Sequence, residues 1–250
     1  AVSPDNRYVI TADRDEKIRV SLLERPHVIQ AFCLGHREFV SELSIPPNHA
    51  QLLVSGSGDG TVRLWEYESG KLLHCLELSE LQLPASQKTR CAVARIVHCR
   101  GADFFAVLCD SFSSVSVLEL DVESRRLVHR QTMPMKERAW DVTFDDLGGL
   151  WVLDGEEIVL YQLQEGVWQE IPDHPDHTRI KDIIRTNWPV FQDSATEISY
   201  NNLYKMNIDN MTEYQLKKQQ RIQQRQTKRE LEVLEVKRGS KRWRMGDAAV

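Results

Sequence analysis

Apolar and polar residues alternate along the first 170 positions in short runs, none of helical length. Residues 40–45, 51–55, 61–67 and 71–76 form one set of four such runs. Pro46-Pro47-Asn48, Gly58-Asp59-Gly60 and Glu68-Ser69-Gly70 separate them. Period-two patterning bounded by Gly, Pro, Asn and Asp predicts strands joined by tight turns. The set recurs. YVITADRDEKIRVS at 8–21 aligns with QLLVSGSGDGTVRLW at 51–65, placing Asp15 on Asp59, Arg19 on Arg63 and Ser21 on Trp65. Weaker copies follow at FFAVLCD, ending on Asp110, and at GLWVLDGEEIVLYQL, which contains Asp154. The four Asp are spaced 44, 51 and 44 residues apart. Four strands in each unit of ~40–45 residues describe the blade of a β-propeller.

The expected fold is therefore all-β, with four blades at 1–34, 39–78, 92–133 and 139–171. The first blade lacks its outermost beginning. The chain opens Ala1-Val2-Ser3-Pro4-Asp5 without a Met, which reads as the inside of a structural unit. A seven-bladed parent, with about three blades N-terminal to this stretch, is expected from the usual range of closed propellers. Residues 172–200 read as a loop with a short helix at 179–187, where Ile180, Ile183 and Ile184 have helical spacing. Residues 201–250 hold no Gly or Pro before Gly239 and are rich in helix formers, so a basic helical tail is expected. In that tail Tyr204, Ile208 and Met211 share a face that would dock.

Charge separates the two parts. The net charge is −5, yet residues 205–244 carry twelve Lys and Arg against five Asp and Glu. An acidic body with a basic tail suggests an anionic partner. No apolar run approaches the ~18 residues of a membrane helix, so no membrane partner is expected. Five Cys without a Cys-x-x-Cys pair argue against a disulfide framework and for a reducing compartment.

Candidate chemistry is sparse. Gly56-Ser57-Gly58-Asp59-Gly60 is glycine-rich but lacks the following Lys-Ser/Thr of a phosphate loop, so its place in the repeat makes it a turn. His174 and His177 lack further ligands at metal-site spacing and read as a surface loop. Cys91, His98 and Cys99 lie on apolar runs, where a core thiol is expected. Trp140, Trp151 and Trp168 read as blade-packing residues. Trp243 sits in KRWRM, a basic cluster that serves nuclear import or, second, base stacking. No hydrolase, zincin or kinase signature is present, so no enzymatic activity is expected. Arg14-Asp15-Glu16-Lys17-Ile18-Arg19 is the densest charge cluster of the body. In the repeat frame it forms a turn at the propeller rim, with Asp15 and Arg19 bracing it and Glu16 and Lys17 facing a partner.

Gly35-His36 lies 29 residues before Trp65 and resembles the start of a WD repeat, although Glu66 replaces the usual Asp. The resemblance implies a buried hydrogen-bond chain through His36, Ser55 or Ser57, Asp59 and Trp65. The other units lack His or Trp and should be held mainly by apolar packing. TADRDEKIRVS, SGSGDGTVRLWEY and the NLYK…DNMTEY…LKKQQ tail together resemble the WD-repeat non-catalytic subunit of the tRNA (guanine-N7)-methyltransferase. That resemblance spans essentially the whole chain. It implies a heterodimer whose other subunit binds S-adenosylmethionine and methylates the tRNA variable loop, with no cofactor held by this chain. The KRGSKRWR cluster leads to an expectation of nuclear localisation, with the cytoplasm as a second site. The resemblance places the partner interface at Asp15, Glu16, Lys17 and Arg19, and the basic tail fits as a tRNA-backbone contact, with Lys217, Lys218, Arg221 and Arg225 as the candidates nearest the docked helix. A ubiquitin-ligase adaptor or a chromatin-associated propeller is the alternative.

Overall fold

The structure, a computed structural model, describes residues 1–82, 90–155, 157–194, 200–205, 214, 217–221 and 223. Its strands form four separate antiparallel sheets in chain order. β1 (Tyr8–Ala12), β2 (Ile18–Leu22) and β3 (Ile29–Cys33) make the first. β4 (Val40–Ser44), β5 (Leu52–Ser57), β6 (Thr61–Glu66) and β7 (Lys71–Glu77) make the second. The four-residue helix α1 (Ser79–Gln82) follows. β8 (Val93–His98), β9 (Phe104–Cys109), β10 (Ser114–Asp121) and β11 (Arg126–Pro134) make the third. β12 (Ala139–Phe144), β13 (Leu150–Asp154), β14 (Glu157–Gln164) and β15 (Val167–Glu170) make the fourth. In each complete sheet, neighbours in sequence pair as a meander.

The first sheet holds three named strands, and the position without one is the innermost rather than the outermost. Ala1 and Val2 occupy that position as a stub. Val2 bridges to Val9, the Ala1 amine donates to the Ile10 carbonyl at 2.9 Å, and Ile10 N–H donates to the Ala1 carbonyl at 2.8 Å.

Strand alternation gives the second and third sheets two apolar faces, each packed on a neighbouring blade, while the first and fourth each pack one face on a neighbour. Along β5, Leu53 points to the first blade while Leu52 and Val54 point to the third. Along β9, Phe105, Val107 and Cys109 face the second blade while Ala106 and Leu108 face the fourth. Three apolar clusters thus fill the three spaces between consecutive blades. Burial on both faces explains why β5 is buried at every position. Across the inner strands, Arg95 on β8 reaches Asp141 on β12 at 3.1 Å and Glu42 on β4 at 4.0 Å. The Arg95 side chain is half exposed, so this bridge adds orientation more than stability.

A meander places two loop types at one end of every blade: the β1–β2, β5–β6, β9–β10 and β13–β14 loops, and those entering β4, β8 and β12. We call this end the upper face. Here the repeated Asp does a second task. Asp59 accepts the backbone N–H of Arg37, Asp110 that of Ala92, and Asp154 those of Lys136 and Glu137. In each case the carboxylate pins the loop entering the innermost strand of its own blade. The third and fourth blades, packed by apolar clusters, carry this polar clamp in addition.

The helix after the fourth blade is longer than expected. α2 (Pro175–Ser194) starts with Pro at its first position, where the missing N–H costs nothing. The Asp176 N–H donates to His174 Nδ1. His177, Ile180, Ile184 and Trp188 form the inward stripe, and α2 packs against β14. Ile183, expected on that stripe, is exposed. Pro189 does not end the helix, since by then its apolar stripe is already seated.

Candidate functional site

The second blade carries the polar centre of the body. Trp65 Nε1 donates to Ser55 Oγ at 2.8 Å, and Ser55 Oγ lies 2.7 Å from His36 Nε2. His36 Nδ1 lies 3.1 Å from Asp59 Oδ2. One protonation pattern satisfies the whole chain: Trp65 to Ser55, Ser55 to His36 Nε2, and His36 Nδ1–H to an ionised Asp59. Burial pushes the His36 imidazole below its ordinary pKa, against the pull of Asp59, so the ring is neutral. Burial would raise the Asp59 carboxyl, but its hydrogen bonds to His36, Thr61 and the Arg37 N–H hold it well below the usual carboxylate range. Arg63, missed in the sequence reading, completes the group. It is buried, donates from Nε to Thr61 Oγ1 at 3.1 Å and lies 3.7 Å from Asp59. The signal was its Gly35 neighbour, since a Cβ there would collide with the Arg63 guanidinium. Ser57, the other candidate, donates instead to the Glu38 carbonyl and braces the loop entering β4.

The charged rim loop lies between β1 and β2 on the upper face. Asp15 and Lys17 are exposed, and Glu16 adopts a left-handed φ of 57°. The brace is Asp13 rather than Asp15. Asp13 accepts the Asp15 N–H at 2.8 Å and pairs with Arg19 at 3.8 Å. Arg19 itself does not sit at the tip. It shares a cross-strand row with Thr11 and Phe32, on the face of the first blade turned away from the second. Its guanidinium lies 5.8 Å from the Phe32 ring centroid.

Residues 200–204 pack on the upper face, against Phe39 and Ala92. They form a turn rather than the start of a helix. Tyr204 is buried and meets Phe39 edge-on at 5.2 Å, while Tyr200 stacks on Phe39 at 5.6 Å and 15°. The Arg90 guanidinium lies 4.9 Å from the Tyr204 ring. Arg14, next to Asp15, donates to the Leu203 and Tyr204 carbonyls. Burial raises the Tyr204 phenol well above its ordinary value, and its hydroxyl has no hydrogen-bond partner among the described residues.

The tail from Lys205 is a second compact unit. Lys217, Lys218 and Arg221 are helical and exposed; Arg225, Ile208, Met211 and Trp243 lie outside the described residues. Of the three Trp expected in blade packing, Trp168 is buried and Trp151 half-buried, its indole donating to Asp145 at 2.8 Å. Trp140 is 47% exposed and lies edge-on to Trp188 of α2 at 5.3 Å, because an innermost-strand position leaves one face of the ring uncovered. His177 is no surface loop residue. It is buried between the Pro172 and Ile158 carbonyls, 2.9 and 2.7 Å from its two ring nitrogens. Cys91 and Cys99 are buried thiols. Among the described residues no group of His, Cys, Asp and Glu is arranged to hold a metal ion.

Meander sheets packed face to face, a buried His–Ser–Asp–Trp chain and an Asp clamp repeated blade after blade define a WD-repeat β-propeller protein. A chain in the crystal structure of the mitotic checkpoint complex has the same fold over 63% of this chain and 46% of its own, at a TM-score of 0.50 and 14% identity. Residues 2–152 match the family described as the tRNA methyltransferase TRM82 WD40 domain, and the chain belongs to that family. Similar relatives carry the name tRNA (guanine-N(7)-)-methyltransferase non-catalytic subunit WDR4. That of Bos taurus is 46% identical over 86% of this chain and 53% of its own length. That of Homo sapiens is 44% identical over the same shares, and that of Danio rerio 41% over 92% and 57%. The chain thus spans about half the length of the curated relatives it matches.

Proposed function

We propose that this chain is the larger part of the propeller and tail of a non-catalytic subunit in a tRNA guanine-N7 methyltransferase. The relatives' names support the activity, and one structural observation supports the mode of action. The β1–β2 loop presents exposed Asp15 and Lys17 on the upper face while Asp13 and Arg14 fix its backbone and flank from behind. A charged loop held in one conformation meets a partner with little further ordering cost.

In this reading the propeller supplies no acid, base or cofactor contact. S-adenosylmethionine binds the separate catalytic subunit, which docks on Asp15, Glu16 and Lys17, with Arg19 behind them. Docking orders the catalytic subunit's active-site loops. Lys217, Lys218, Arg221 and Arg225 neutralise tRNA phosphates without reading sequence. The complex acts in the nucleus, with the cytoplasm as a second site.

The test is a pull-down of the intact protein from cell extract, followed by a guanine-N7 methylation assay on tRNA. The wild type is expected to co-purify the activity, and Glu16→Lys or Arg19→Glu to lose it. Activity that never co-purifies would overturn the reading in favour of an adaptor or a chromatin-associated propeller.

A further inference from the structure

We propose that Arg14 is a positioning residue that locks the rim loop to the C-terminal anchor at Tyr200–Tyr204, so that loop and anchor act as one unit in partner binding. The second half of this statement rests on the function proposed above.

The anchor is built like a small core. Phe39 lies between Tyr200, stacked on it, and Tyr204, edge-on. Phe39 cannot retreat, because its ring fills the space over Gly58, where even one added Cβ would collide with it. Ala92 and the Arg90 guanidinium close the Tyr204 side. Three blades therefore contribute to one aromatic seat, through the loops entering β4 and β8 and through the loop after β1. The seat is tied to the loop that carries Asp15 and Lys17. The link is Arg14. Its Nε donates to the Leu203 carbonyl at 3.1 Å and its Nη2 to the Tyr204 carbonyl at 3.4 Å, across 189 and 190 residues of sequence.

The loop between β1 and β2 is thus held from two sides. Asp13 ties it to its own blade through the Asp15 N–H and Arg19, and the Asp13 carbonyl accepts Val40 N–H at 3.3 Å. Arg14 ties it to the anchor. Two consecutive carbonyls suit the planar guanidinium fork, which an ammonium cannot reproduce. The basic stretch that begins at Lys205 is covalently continuous with this seat. The same five residues therefore help to hold the charged loop in one conformation. Arg14 needs no contact with the partner to matter, since a loosened loop must be reordered at each encounter.

Hydrogen exchange on the free full chain tests the lock itself. Exchange at the amides of residues 14–17 is expected to quicken in Arg14→Met and in Tyr204→Ala, and to stay at the wild-type rate in Tyr204→Phe. Unchanged exchange in both of the first two variants would overturn the lock, whatever the protein binds. Partner binding is then measured as the Kd of the full chain for the methyltransferase catalytic subunit. Arg14→Met and Tyr204→Ala are each expected to weaken it about tenfold, the scale of a lost charged-donor hydrogen bond. The double variant should be no weaker than the weaker single, as for residues acting as one unit. Additive losses, or an Arg14→Met Kd within about twofold of wild type, would overturn the coupling. A wild-type chain that binds no such subunit would instead remove the proposed function, leaving the exchange arm to decide the lock.

Discussion

The Trp65 indole N–H and the His36 Nε2 converge on one atom, Ser55 Oγ, at 2.8 and 2.7 Å. Both rings and the serine are buried, so neither partner has water to turn to. Ser55→Ala removes one oxygen and orphans two polar groups, each worth about 1–3 kcal/mol of desolvation penalty. The expected result is a denaturant midpoint well below wild type with an unchanged slope. Ser57→Ala, which breaks a 3.2 Å bond to the Glu38 carbonyl and a 3.1 Å bond from the Asp59 N–H, should cost less, since both contacts are longer than those to Ser55. Equal midpoints for the two variants would show that the chain through Trp65 is not the tighter one.

Acid should destabilise the blades earlier than carboxylate titration alone would bring about. His36, His74, His98 and His129 are each shifted downward, in every case first by burial. A histidine with a depressed folded pKa leaves more protons on the unfolded chain as pH drops below about 6.5, so stability falls with pH there. Asp59 acts in the same direction at lower pH, because its folded pKa is also depressed and its contribution is lost below the unfolded carboxylate value. Glu42, raised by burial, opposes both weakly. The thermal midpoint is expected to decline between pH 7 and pH 5, and His36→Asn to flatten that decline. A midpoint constant across the window would refute the assignment of neutral histidines.

Gly70 turns the chain between β6 and β7 at a φ of 71°. A Cβ there would run into the Phe32 carbonyl on the neighbouring blade, a backbone atom that cannot swing away. Gly70→Ala thus combines left-handed strain of about 1 kcal/mol with a clash between blades. Its cost should exceed that of Gly101→Ala, whose surroundings are open. Paired thermal melts give the comparison directly.

Arg19→Leu should separate fold from loop. Its ion pair with Asp13 is about half exposed and contributes at most about 1 kcal/mol to stability. The thermal midpoint is expected to move little, while exchange at residues 13–17 quickens. In the proposed complex tRNA methylation should fall. Global unfolding by this change alone would mean that the Phe32 contact, not the loop, is its main task.

The blades were legible because turns and strands are written locally: Asp59, Asp110 and Asp154 mark the same turn in three blades, and short apolar runs flank each. The residues of the buried chain follow from the WD-repeat resemblance that Gly35-His36 and Trp65 carry, which leaves Ser55 and Ser57 both open. What escaped was everything made by long-range approach. Arg14 looked like one more rim charge until its two carbonyl acceptors, 189 and 190 residues away, came beside it. Tyr204 was assigned to a helix face, although its burial comes from Phe39 and Ala92 of other blades. Trp140 was read as packed because hydrophobic character does not say which side of an innermost strand will be covered. α2 extends beyond the expected 179–187 at both ends, with Pro175 at the first helical position, where proline is tolerated, and Pro189 inside the helix.

Trp188 offers a way to melt α2 without touching the blades. It is 8% exposed and rests on Trp140 at 5.3 Å, and it ends the stripe that begins with His177. Trp188→Ala removes a buried aromatic whose loss costs about 3–5 kcal/mol in a core. The blades have their own clusters, none of which contains Trp188. The loss should therefore appear as local opening rather than global unfolding. Limited proteolysis is expected to cut within residues 175–194 faster than in wild type, while the amides of β5, β9 and β10 keep their protection. Trp140→Ala should do the same to a smaller degree, because that ring is already half exposed. Simultaneous loss of protection in β9 and α2 would instead make the helix an integral part of the fourth blade, with His177 between the Pro172 and Ile158 carbonyls as its hinge to β14.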